Sequence, residues 1–139
     1  MIRLKVHVNI NNIYAININQ LLFLKIMTDN RQDFNKCTAS VLKLLYEKFP
    51  NEVDIIIEDL TEDGELNDNY FATMRFLRRE NLLYYQELDF SNFKRTVLTA
   101  KGLSILDTVP DNIDITLAQQ LINPNKITMI VKNIIKLAA

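Results

Sequence analysis

The sequence predicts a mainly α-helical fold with a small β-hairpin set between its third and fourth helices. Three observations carry that expectation. Apolar residues recur at helical spacing from Val41 to Leu77. The period then drops to two between Leu82 and Thr99, as in a half-buried strand. Capping and turn-forming residues stand at each change of pattern. With 139 residues, 48 % of them hydrophobic and 24 % charged, the chain has the size and composition of one globular domain.

Residues 1–30 read as an N-terminal extension. Val6, Val8 and Ile10 alternate with Lys5, His7 and Asn9, and Ile16 and Ile18 with Asn17 and Asn19, a strand-like period. Leu21 to Met27 is an apolar run broken by Lys25, far short of the roughly 20 residues of a membrane span. The organised pattern begins only after Met27, which makes residues 1–26 candidates for an upstream extension of the reading frame.

A first helix follows, with Asp33 or Asn35 as its cap, Val41, Leu42, Leu45 and Phe49 on one face, and Pro50 as its stop. Asn51 can cap a second helix, in which Val53, Ile56, Ile57 and Leu60 recur at helical intervals. Thr61 to Asp68 is polar and contains Gly64, hence a loop. Asn67 or Asp68 can cap a third helix whose apolar stripe is Tyr70, Phe71, Met74 and Leu77; Arg75, Arg78 and Arg79 lie largely off that stripe. Leu82 to Leu88, and the return through Arg95, Val97 and Thr99, make a hairpin around Asp89–Asn92. Thr99 caps a fourth helix, with Leu103 and Leu106 inward and Pro110 closing it. Two short helices end the chain, one marked by Leu117, Leu121 and Ile122, the other by Ile127, Ile130, Val131, Ile134 and Ile135.

Three helices, a hairpin and a helix is the order of a winged helix-turn-helix. The segments FATMRFLRRENLLYY (71–85) and VLTAKGLSILDTVP (97–110) resemble bacterial winged-helix proteins. In those, the recognition helix meets the first wing strand through an LxxENLL-like junction, and the wing returns into an LTxKGxxxL helix start. Here that start is Leu98-Thr99-Ala100-Lys101-Gly102, with Leu103 and Leu106 behind it. The likeness reaches back over LLYEKFPNEVDIIIEDL (44–60) and is greatest to an uncharacterised bacterial group with an LTxKGLxxLxxVP segment after the wing. It implies a winged-helix domain over 31–110 and an additional C-terminal helical segment over 111–139. Gly102, in the first turn of the fourth helix, would let that helix sit close to a neighbour.

The resemblance also places the third helix in a major groove and the hairpin tip against the DNA backbone. Asn67, Asn69, Thr73, Arg75, Arg78 and Arg79 are then the recognition-helix contacts, with Lys94 and Arg95 as wing contacts to phosphate. The implied partner is double-stranded DNA and the implied role that of a bacterial transcriptional regulator. Charge argues the other way. Residues 31–110 hold ten basic and fourteen acidic side chains, whereas phosphate neutralisation dominates DNA affinity. The competing reading is a winged-helix protein–protein interaction module that binds no nucleic acid, its arginines a solvated face.

Catalysis is not expected. One His, one Cys and two Gly supply no nucleophile with a base, no phosphate cradle and no metal-ligand spacing, so no catalytic, cofactor-binding or metal site is assigned. The Glu58-Asp59 and Glu62-Asp63 doublets read as solvated carboxylates. Cys37 reads as a buried small apolar residue, and a chain without a disulfide is expected in the cytoplasm. Among Tyr84, Tyr85, Phe90 and Phe93, half are expected in the core and half at the wing tip. Ile127 to Ile135 is too apolar to stay exposed, so it packs on its own chain or makes a homodimer through the C-terminal helices. The resemblance favours the homodimer. That segment is short and lacks aromatic anchors, so no membrane partner is expected.

Overall fold

The computed structural model describes residues 17–139, without the side chains of 26–28. The alternation over Val6 to Ile10, His7 included, lies outside the described residues. The fold is mainly helical, with one small antiparallel sheet.

Its spine is α1 (Ile18–Lys48). The Asn17 side chain accepts from the Gln20 N–H at 2.9 Å while the Gln20 side chain accepts from the Asn17 N–H at 3.2 Å, a reciprocal cap. The helix thus begins well ahead of Asp33 and Asn35, the expected caps, and runs through Met27 where an extension with a strand-like start was expected. Asn35 is buried in mid-helix. Once a helix is nucleated at a cap, each added residue needs only its own hydrogen bond, so Leu21 to Lys25 continue it without a core-facing stripe. Phe49 is the C-cap and a cis Phe49–Pro50 bond turns the chain.

The first half of the expected second helix is strand. Val53–Ile56 forms β1, antiparallel to β4 (Asn92–Leu98), with Val53 opposite Thr96 and Ile55 opposite Phe93. Only Ile57–Leu60, α2, is helical. A short apolar run suits either state, and β-branched residues facing a partner strand decide it here. On the other edge of β4 lie β2 (Leu83–Tyr84) and β3 (Glu87–Asp89). Phe90 and Ser91 make the two-residue turn between β3 and β4, with Phe90 at φ 56°, as tight hairpins require at that position. One step of two residues along β1 faces three along β4, a bulge. Arg95 occupies it at φ 54°, its N–H donating to the Asp54 carboxylate at 3.0 Å.

Between the strands stands α3 (Asp68–Arg79), capped by Asn67, whose side-chain oxygen accepts from Asn69 N–H at 2.9 Å. It ends as expected of a left-handed cap: Asn81 is at φ 60°, and Leu82 N–H donates to Leu77 O at 3.0 Å and Asn81 N–H to Arg78 O. After β4, Thr99 caps α4 (Ala100–Leu106) by accepting from Gly102 N–H at 3.0 Å. Gly102 passes directly over the Leu82 carbonyl, where a Cβ would have no room.

The C-terminal helices α5 (Leu117–Gln120) and α6 (Ile127–Ala138) flank a single 3-10 turn, Pro124–Lys126. Ile130, Val131 and Ile134 of α6 are buried against α1 and α4, and the Lys101 ammonium donates to the Ala138 carbonyl at 2.6 Å. The apolar face expected to form a homodimer is therefore covered within its own chain. One hydrophobic core runs from Cys37 to Ala138, so residues 111–139 share it with the preceding elements. Among the described residues, no helix is long and apolar enough to cross a membrane.

Candidate functional site

The eight expected contact residues divide into three groups. Asn67, Asn69 and Thr73 belong to the packing of α3 on α1. Asn69 donates from its amide to Asp33 at 2.8 Å and to Asn30 at 3.0 Å, and Asn67 donates to Asp33 at 3.5 Å. Thr73 is 3 % exposed and its hydroxyl donates to the Asn69 carbonyl at 2.6 Å. These side chains hold the start of α3 against α1, and Thr73 is buried there, not displayed beside the exposed arginines. Small polar residues near a helix start carry the same signal for capping as for base contact, which is why spacing alone could not separate the two.

Arg75, Arg78 and Arg79 are exposed on α3, outside the buried stripe of Tyr70, Met74 and Leu77. Arg78 is tied to the hairpin. Its Nε donates to the Tyr85 carbonyl at 3.3 Å, and its guanidinium lies 4.6 Å from the Tyr84 ring centre and 4.9 Å from that of Tyr85. Arg79 lies 5.6 Å from the Phe76 ring. Helix and hairpin therefore present one cationic–aromatic ridge.

On the hairpin, Lys94 pairs with Asp89 at 3.2 Å, and that hydrogen bond raises its pKa above the ordinary lysine value. Arg95 has an exposed side chain on the bulge. Two of the four aromatics face the core, but only Phe90 of the other two is at the wing tip. Phe93 is buried and Tyr85 packs edge-on to it at 4.8 Å, while Phe90 is 94 % exposed at the turn and Tyr84 is half-exposed beneath Arg78. Along β1, α2 and the loop into α3 runs the opposite charge: Glu52, Asp54, Asp59, Glu62, Asp63 and Glu65 are all exposed.

Cys37 is buried, and burial, with a smaller contribution from the Asp33 charge, pushes its thiol up to about 12, so it is no thiolate nucleophile. Among the described residues, no group of His, Cys, Asp and Glu could hold a metal ion.

A groove of about 410 Å³ between α1, α3 and α6 was not foreseen. Arg31 and Phe34 enter it from α1, Phe76 and Arg79 from α3. The only trace in the sequence is the i, i+3 spacing within each pair, which puts an arginine beside a phenylalanine on one helix face; that the two faces meet depends on tertiary packing. Compared with protein-family models, curated proteins and solved structures, the chain matches none.

Proposed function

We propose that this chain is a winged-helix protein of the cytoplasm that binds double-stranded DNA as a transcriptional regulator. In this reading α3 enters the major groove and the β3–β4 hairpin lies along the backbone. The observation that supports it best is the placement of Arg75, Arg78 and Arg79 on one solvent face, with the hairpin locked beside them by Arg78. Guanidinium forks suit guanine edges and phosphates alike. Asn67, Asn69 and Thr73 take no part in this version, and Lys94 and Arg95 supply phosphate contacts. A homodimer belongs to the same reading, because two modules double a short cationic ridge; its contact is not the inward face of α6.

The test is a fluorescence-anisotropy titration with random duplex DNA at low and moderate salt. Binding should weaken steeply with salt, and Arg75→Ala with Arg79→Ala should weaken it further. Unchanged affinity in that double variant would remove α3 from the interface.

The acidic strip from Glu52 to Glu65 favours a second reading, an interaction module for a basic protein partner. No DNA binding at low salt, together with a basic protein that co-purifies with the chain, would establish it instead.

A further inference from the structure

The groove between α1, α3 and α6 has a specific chemical character. Phe34 and Phe76 meet edge to face at 5.5 Å and 77° as part of its wall, and Ile135 of α6 adds an aliphatic side. Above each ring stands a guanidinium, Arg31 at 5.5 Å from Phe34 and Arg79 at 5.6 Å from Phe76. The lining contains no carboxylate. Asp33 is the nearby acid, and it accepts from the amides of Asn67 and Asn69. Among the described residues the one ion pair is Lys94–Asp89, so neither arginine at the aromatic wall is held by a carboxylate. The volume falls in the range of small-molecule pockets, roughly 300–1,000 Å³.

We propose that this groove binds a small aromatic carboxylate. The carboxylate accepts from Arg31 and Arg79, as planar guanidinium forks prefer, and the ring packs against the Phe34–Phe76 pair in the offset or edge-on geometry that aromatic groups favour. Arg79 also belongs to the ridge assigned to DNA. Resting on that assignment, a bound carboxylate draws Arg79 away from the duplex, so ligand and DNA oppose each other, and by linkage the opposition is reciprocal.

The first arm needs no DNA. Sodium benzoate is titrated into the ¹⁵N-labelled full chain, with benzamide and ionic-strength-matched sodium chloride as controls. Saturable amide shifts at Phe34, Asn69, Phe76 and Ile135 are expected. Binding should be about tenfold weaker for benzamide and for each of Arg31→Ala and Arg79→Ala, the cost of removing one charge-assisted hydrogen bond. Both arginines are exposed, and unchanged amide spectra away from the groove confirm that the variants fold. No saturable shift, shifts centred elsewhere, or equal binding of benzamide overturns the proposal. In the second arm benzoate is added to the DNA complex in the anisotropy assay, where a weakened complex is expected. Benzoate binding to a chain that ignores DNA leaves the groove assigned and removes only the DNA reading. DNA binding without benzoate binding removes only the groove.

Discussion

Arg78 joins α3 to the hairpin by two means at once: its Nε donates to the Tyr85 carbonyl at 3.3 Å and its guanidinium carbon lies over the Tyr84 ring, 4.6 Å from the ring centre. Of three exposed arginines on one helix, this one is a structural strut, whereas Arg75 and Arg79 reach solvent without tying α3 to the sheet. Arg78→Ala should therefore lower stability by about 1–2 kcal/mol, through removal of a hydrogen bond and a cation–π interaction. Arg75→Ala and Arg79→Ala should each change stability by less than about 0.5 kcal/mol. Urea unfolding of the three variants separates the strut from the others. On the DNA side, each cation removed from a phosphate should reduce the salt slope by about one.

Gly102→Ala should be among the most damaging single substitutions in the fold. The new Cβ would collide with the backbone carbonyl of Leu82, which cannot swing aside as a side chain would. The Leu82 oxygen also accepts from Thr99 N–H at 3.2 Å, so moving it disturbs the hairpin and α4 together. A loss at the upper end of roughly 1–3 kcal/mol is expected in thermal or urea unfolding.

Asn67→Ala removes the cap of α3 and a hydrogen bond to Asp33. A loss of about 1 kcal/mol is expected, and hydrogen exchange should locate it. The amides of Asn69 and Tyr70, which Asn67 caps, should exchange faster, while those of α4 keep their protection. If exchange rose uniformly across the chain, the cap would not be acting locally.

The pH dependence should be alkaline. Burial, with a smaller contribution from Asp33, raises the Cys37 thiol from 9.0 to about 12. Burial, then Cys37, Asp33 and Glu62, raises the Tyr70 hydroxyl from 10.0 to about 12. Both groups ionise in the unfolded chain before they do so in the folded one, so the unfolded state binds fewer protons in that window and stability falls as pH rises. The loss should begin near pH 9 and continue toward pH 12. Cys37→Ala should start lower in stability but fall less steeply between pH 9 and pH 10, before the tyrosine contributes. Parallel urea midpoints for the two proteins across that interval would contradict the assignment.

Much of this fold was legible in the sequence because its signals are local. Asn67 and Thr99 cap the helices their positions suggest, and a change of period marks the hairpin. The strand Val53–Ile56 was not legible. Its neighbours in sequence permit a helix, and the partner that makes it a strand, Phe93 to Thr96, lies on the far side of α3. The start of α1 was hidden for a different reason. Ile18, Leu22 and Phe23 are exposed, so no core-facing stripe announces the helix, and only the Asn17–Gln20 cap does. In the candidate site, the arginines could be named but not ranked. The strut role of Arg78 depends on the approach of a hairpin carbonyl, and the distinction between Asn69 as an anchor and Asn69 as a contact depends on α1 lying alongside.

The pairing of β1 with β4 sets a timetable for the chain as it is made. Val53 to Ile57 leaves the ribosome as a β-branched run interrupted only by Asp54, and β4, its partner strand among the described residues, has yet to be translated. Such a run is a template for association with other nascent chains. Glu52 and Asp54 border or interrupt it on one side and Glu58 and Asp59 on the other, the positions at which like charge keeps two copies apart. The acidic residues around β1 thus act on the chain before its sheet exists.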